Sequence, residues 1–268
     1  YYMFDFHKDK QRYFNIQKAV TEEDVIPFLE KQIGSCINKR VLEVGCAEAG
    51  VLKAFLDKGN TGIGIELAES RFVLARQFLD EDIKQGKADI INKNIYDVKD
   101  PASELNGLFD IIILKDVIEH IHDQGKFIQL LRGFLAPDGV VFFAYPPWWM
   151  PFGGHQQICN AKLLRTLPWF HLLPKSLFKC LLQLFNERPA TIADLLEIKE
   201  TGINIEKMRR LLRENNYTIL DQKFWLFNPI YKFKFGINKK LVWKPLTMLP
   251  YIRNFYTTAH YMVFCPKL

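Results

Sequence analysis

The sequence predicts an α/β fold: a doubly wound, mostly parallel sheet of seven strands, with an α-rich cap inserted after the fifth. Three observations lead there. Between residues 40 and 145, short apolar runs alternate with segments of helical periodicity, as a parallel sheet with crossover helices requires. The first junction, Arg40-Val-Leu-Glu-Val-Gly-Cys-Ala-Glu-Ala-Gly50, places Gly45 where a buried strand must turn sharply into a helix. After residue 145 the alternation stops, and a leucine- and aromatic-rich stretch to about 202 precedes a last helix and a closing pair of strands.

The elements follow in order. Thr21-Glu-Glu-Asp24 has a capping-box pattern and is expected to open a helix whose apolar stripe is Val25, Phe28, Leu29 and Ile33, ended by Gly34. Val41, Leu42 and Val44 make strand one; Val51, Leu52, Phe55 and Leu56 make the helix after it, stopped by Gly59. Thr61–Glu66 is strand two, Glu69–Leu79 a helix and Asp89–Asn94 a weak third strand. Phe109–Leu114 is a continuous apolar run and strand four. Phe127, Leu130, Leu131, Phe134 and Leu135 mark a helix ended by Pro137-Asp-Gly139, and Gly139–Tyr145 is strand five. Asn204–Asn215 is the last helix, and Tyr217–Phe227 and His260–Lys267 are the closing strands. In Tyr231-Lys-Phe-Lys-Phe235 the alternation reads as a half-buried strand rather than a nucleic-acid platform.

Composition bounds the function. Apolar residues make up 49% and aromatics 14%, enough for a large core. The five cysteines are scattered without a Cys-x-x-Cys pair, which argues against a disulfide framework and a zinc site and for a reducing, cytoplasmic compartment. No signal peptide and no membrane-spanning apolar run is read. The net charge of +6 is uneven: beyond Asp221 there is no acidic residue and eight Lys or Arg, leaving the rest of the chain slightly acidic.

The junction at Gly45 departs from a dinucleotide fingerprint. Gly-x-Gly-x-x-Gly aligned on Gly45 needs glycine at 47, where Ala47 would hinder a pyrophosphate. Glu43-x-Gly45-Cys46-Ala47-Glu48-Ala49-Gly50 instead resembles motif I of the class I S-adenosylmethionine-dependent methyltransferases, with two glycines of that pattern replaced by alanine. Phe109-Asp-x5-Asp-Val-Ile-Glu-His120 resembles motif IV of the same family. The resemblance covers about 35–145 and 203–267 and implies a Rossmann-like fold that binds S-adenosyl-L-methionine. It implies cofactor contacts at Glu43, Gly45, Cys46, Ala47 and Gly50, at Leu67 beside the second-strand acid, at Asn94 and Ile95 for the adenine (with Asp97 as a competing alignment), and at Lys115 and Asp116 for the methionine end. Glu66, at the end of strand two, also has the spacing of a ribose-binding acid in its own right. Tyr13 is a candidate to cover the cofactor, with packing on the first helix as its alternative. The expected organisation is an N-terminal helical segment (1–34), a cofactor-binding domain (35–145 and 203–268) and a cap (146–202).

Methyl transfer from a sulfonium mainly requires positioning and exclusion of water, and an oxygen acceptor adds a need for a base. His155 follows Phe-Gly-Gly in the loop after strand five, and the glycines let that loop fold back. His155 is thus the first candidate for catalysis, with Tyr145 second. Trp148, Trp149, Gln156 and His171 are candidates for acceptor binding, in a cap with a small core of its own. No metal site is expected, and His120 is read as structural. The expected acceptor is a small molecule, of glycan, quinone or lipid-linked type. Lysines and arginines bordering the 163–185 stretch are compatible with peripheral membrane contact. The alternatives are an RNA or protein methyltransferase using the basic C-terminal region, a nicotinamide-dependent oxidoreductase, and a non-catalytic binding module.

Overall fold

A computed structural model describes residues 9–267 of the chain. Its centre is an eight-stranded sheet in the order β3-β2-β1-β4-β5-β8-β6-β7. The strands are β1 (Arg40–Val44), β2 (Thr61–Ile65), β3 (Ala88–Ile91), β4 (Phe109–Lys115), β5 (Leu135–Tyr145), β6 (Tyr217–Phe227), β7 (Lys240–Leu241) and β8 (Ala259–Pro266). The first five run parallel, whereas β8 lies antiparallel between β5 and β6. From β1 the chain steps outward to β2 and β3, then returns to β4 on the other side of β1. The carboxyl ends of β1 and β4 therefore flank the switch point where doubly wound sheets form a binding crevice.

Two apolar layers sandwich the sheet, as expected for strands buried on both faces. Val41, Ile111, Ile113 and Phe142 face one layer, against Phe28, Leu52 and Phe55; Leu42, Ile112, Val141 and Phe143 face the other, against Phe127, Met208 and Leu212. The cap 146–202 carries helices Lys162–Thr166, Lys175–Leu184 and Pro189–Thr201 around its own core of Cys159, Leu164, Phe170, Phe178, Leu182 and Leu195. Its two ends are joined by a hydrogen bond from the Trp148 amide to the Ile203 carbonyl, 2.8 Å.

Several expectations need correction. Thr21-Glu-Glu-Asp24 does not open a helix. It forms a π-helical turn between helices Lys10–Val20 and Ile26–Ile33, and the buried Thr21 hydroxyl donates back to the Gln17 carbonyl (2.7 Å). The apolar stripe continues upstream through Phe14, Ile16 and Val20, so the capping pattern falls inside an uninterrupted amphipathic run. Residues 231–235 are a helical turn, not a strand: Tyr231 and Phe233 pack on Ile16, Val20 and Ile230, and Gly236 in the left-handed region ends the turn. The third strand ends at Ile91, three residues earlier than expected. The two-residue β7, which pairs with β6 inside the 228–257 connection, makes the eighth strand. Among the described residues no helix is long and apolar enough to cross a membrane.

Candidate active site

At the end of β1 the chain turns through Gly45 (φ 69°), Ala47 (φ 48°) and Ala49 (φ 62°), so two alanines hold conformations that favour glycine. Gly45 has no room for a side chain, since a Cβ would stand 2.7 Å from Val117. A Cβ on Gly50 would stand 2.5 Å from the Phe14 carbonyl oxygen, so this glycine seats the N-terminal helix on the helix Gly50–Asp57.

The hydrogen bonds of the turn are internal. The Gly45 and Cys46 amides both donate to the Ile65 carbonyl (2.8 and 3.1 Å), and Ala47 donates to Glu66 Oε2 (2.8 Å). Glu66, nearly buried at the end of β2, also accepts from the Ala68 amide through Oε1 (2.8 Å). Three amides that would cradle a phosphate are thus already committed, and a carboxylate stands beside them. This donor set suits a cofactor with ribose hydroxyls and a sulfonium and opposes a pyrophosphate. Glu43 braces the same junction by accepting from the Leu52 amide (2.8 Å), and burial pushes its carboxyl up to about 8. Leu67, 68% exposed, presents an apolar ledge next to Glu66. Asn94 lies beyond β3 and accepts from the Tyr96 amide (3.1 Å), while Ile95 is buried below it.

The N-terminal helix crosses this edge. Tyr13 bonds to Gln17, Gln17 bonds to the Lys115 ammonium, and Lys10 pairs with the buried Glu48 (2.7 Å). Lys115 closes β4 with its side chain only 6% exposed, and burial lowers its pKa. Asp116 follows in the left-handed region (φ 57°). Its carboxylate lies 3.8 Å from Lys115 Nζ. Burial raises the Tyr13 phenol, and Asp116 adds to the effect. Burial also brings Lys234 down to about 8, although Asp116 pulls the other way. Lys115, Asp116 and Tyr13 thus stand together. Gln17 and Lys234 join them, and no motif marked either one.

The loop after β5 supplies the opposite wall. A Cβ at Gly154 would lie 2.1 Å from His171 Cβ, and one at Gly153 would lie 2.5 Å from the Trp148 carbonyl oxygen, so the loop closes tightly on itself. That return brings His155 to Glu119 and His120, just past β4: His155 Nε2 is 4.0 Å from Glu119 Oε1, and the two imidazole rings are 5.2 Å apart. Burial, helped by His120, pushes His155 down to about 4, and burial raises the Glu119 carboxyl.

The remaining candidates are engaged elsewhere. Tyr145 is fully buried, with its hydroxyl 2.9 Å from His260 Nδ1. Trp148 packs over Gly202 and His171; Trp149 faces Tyr251 and Phe255, ring to ring at 5.8 and 5.6 Å. Gln156 donates to the Pro151 and Leu167 carbonyls (3.0 and 3.2 Å), and His171 Nε2 bonds to the Trp148 carbonyl (2.7 Å). Gln156 and His171 thus spend these hydrogen bonds within the cap. His122, which with His120 forms a His-x-His pair in sequence, points to Glu197 (3.2 Å) and lies outside the cluster.

The chain is similar in sequence to proteins named ubiquinone biosynthesis O-methyltransferase. One from Acinetobacter baylyi is 24% identical over 74% of this chain and 76% of its own length; one from Hydrogenovibrio crunogenus is 33% identical over 42% and 45%. Apart from the A. baylyi match, the chain spans about half the length of these curated relatives. In structure it is similar to an S-adenosylmethionine-dependent methyltransferase from Clostridium acetobutylicum (TM-score 0.56, 12% identity, 98% of this chain and 96% of the other). It is also similar to magnesium protoporphyrin IX methyltransferase from Synechocystis with bound SAH (TM-score 0.55, 13% identity, 96% and 84%). These two likenesses show the fold. A family model described as "Methyltransferase domain" matches residues 23–222, most of the chain. The chain therefore belongs to the methyltransferase domain family and, with its motifs on a Rossmann-like sheet, to the class I S-adenosylmethionine-dependent methyltransferases.

Proposed function

We propose that the chain transfers the methyl group of S-adenosyl-L-methionine to an oxygen of a small or lipid-linked acceptor, a quinone-type phenol first among them. The observation that carries this reading is the return of the cap loop, which sets His155 against Glu119 and His120 beside Asp116. A loop that folds back over the strand ends this way suits a small acceptor better than a flat polymer. The names of the relatives support oxygen as the acceptor atom.

The bound cofactor would supply an activated methyl on a sulfonium, and the chain's residues do the rest. Glu66 and Leu67 are proposed to hold the nucleoside, with Asn94 and Ile95 bordering the base. Lys115 and Asp116 are proposed to face the methionine end, under the helix that carries Tyr13. The cap excludes water, and His155 acts at the acceptor oxygen. In the transfer the acceptor O–H loses its proton, the oxygen pair forms the new C–O bond, and the C–S pair stays on the sulfur.

Two measurements test this with the purified chain. Calorimetry should give saturable S-adenosylhomocysteine binding that Gly45→Arg abolishes, since even a Cβ there meets Val117. Labelled S-adenosylmethionine should transfer methyl to catechol-type quinone precursors, with His155→Ala lowering turnover while S-adenosylhomocysteine affinity holds. Undiminished binding in Gly45→Arg, or unaltered turnover in His155→Ala, would overturn the respective assignment. A second reading, a polyanionic acceptor such as RNA, draws on a groove of about 440 Å³ where Lys207, Arg209, Arg210 and Arg213 stand beside Asn204, Tyr251 and the Glu206–Arg253 ion pair. Steeply salt-dependent binding of RNA would favour it.

A further inference from the structure

We propose that Glu119, His120 and His155 form a binding site for a divalent first-row transition cation at the acceptor end of the crevice. Their ligand atoms, one from each residue, all lie within 4.8 Å of one another. Ligands at about 2.0–2.2 Å from such a cation stand about 3.3 Å apart, so small side-chain rotations close the site. Two imidazoles and one carboxylate suit zinc, iron, cobalt or manganese better than magnesium or calcium, which prefer oxygen.

A second observation points independently to a ligand. Glu119 is 3% exposed, and neither of its carboxylate oxygens has a hydrogen-bond partner among the described residues. A buried carboxylate left this way is costly, and either a proton or a cation relieves it. The imidazoles beside it favour the cation, with His155 Nε2 4.0 Å from Glu119 Oε1 and the two rings 5.2 Å apart. His155 is held at φ 55°, in the left-handed region, at the end of a loop whose glycines have no space for side chains. Three protein ligands also leave coordination positions open, the arrangement of catalytic rather than structural metal sites.

The inference deepens the proposed function and rests on it only for its use. His155 would act at the acceptor oxygen through the cation rather than by taking the proton itself. The cation's charge makes a neighbouring hydroxyl a stronger acid, and the proton passes to water.

The test uses the whole purified chain, stripped with a chelator and titrated with Co2+ while visible absorption is followed, alongside Mn2+ titration by electron paramagnetic resonance. One saturable site per chain is expected. Glu119→Gln and His155→Ala should each weaken it at least tenfold, and His122→Ala should leave it unchanged. Glu119→Gln is nearly isosteric; if it fails to fold, His155→Ala in the cap loop carries the test. No saturable uptake by the stripped wild type would overturn the proposal and leave Glu119 as a neutral acid. So would Co2+ affinity unchanged in His155→Ala. S-adenosylhomocysteine titration of the stripped chain separates the two readings: normal binding there with no cation uptake sinks this inference alone, whereas cation uptake without S-adenosylhomocysteine binding sinks the methyltransferase reading and leaves the metal site standing.

Discussion

His260 makes the stability of the fold depend on pH in a way that can be worked out. Its ring is fully buried between the Tyr145 hydroxyl (2.9 Å from Nδ1) and Gln222 (3.2 Å from Nε2), stacked on Phe224. Burial, with the Arg253 and Arg209 charges nearby, pushes it from an ordinary 6.5 down to about 3. The folded chain therefore keeps this imidazole neutral, while the unfolded chain protonates it as pH falls below about 6.5. The unfolded state binds the extra proton, so stability is complete above that pH and is lost on acidification. At pH 5 the unfolded imidazole is about 97% protonated and the folded one hardly at all, which costs roughly 2 kcal/mol relative to pH 7.5. This magnitude is set almost wholly by the unfolded pKa, since any folded value below about 4 gives the same result. Urea unfolding at pH 7.5 and 5.0 should show the loss, and His260→Gln, whatever its absolute stability, should shrink it by about 2 kcal/mol. An equal loss in wild type and His260→Gln would refute a neutral buried His260.

Two further outcomes follow from backbone and packing. Ala47 at φ 48° stands where left-handed backbone costs an alanine about 1–2 kcal/mol, partly offset by the greater freedom glycine has when unfolded. Ala47→Gly should therefore stabilise by about 0.5–1 kcal/mol and raise the melting temperature by roughly 2 °C; a lower melting temperature would contradict the strain. Gly154→Ala drives a Cβ to 2.1 Å from His171 and should cost about 1–3 kcal/mol by overpacking. Because the clash lies in the cap, turnover should fall while S-adenosylhomocysteine affinity, measured by calorimetry, stays near wild type; parallel losses in both would count against the separation of cap and cofactor edge.

The parallel half of the sheet was legible because strands buried on both faces are written as apolar runs, and Ile111-Ile-Ile-Leu114 can hardly be anything else. What failed were places where a local signal competed with tertiary packing. Thr21-Glu-Glu-Asp24 reads as a helix start, but Val20 and Val25 are both buried and keep the helix running through it. Tyr231–Phe235 alternates like a strand, yet the N-terminal helix offers it an apolar face and no strand edge. At the site, Gly45, Glu66 and His155 each stood out by position in a motif or loop. Glu119 stood inside the motif IV block but was given no role at the site, because its partner arrives from a distant loop whose path is set by packing at Gly153 and Gly154. Tyr145, at the end of β5, gives its hydroxyl to His260 because its side of the sheet faces the buried layer.

The bond between Trp148 and Ile203 means that the cap leaves the sheet and rejoins it at one point. A loop with its ends pinned this way can lengthen cheaply, since doubling it adds only about 0.6 kcal/mol of closure entropy. With a core of its own, it can also be rebuilt inside without disturbing the strands. Changes inside the cap core should therefore spare the strands as long as Thr201 keeps its hydrogen bonds to the Glu119 carbonyl (2.5 Å) and from the Gln124 side chain (2.6 Å).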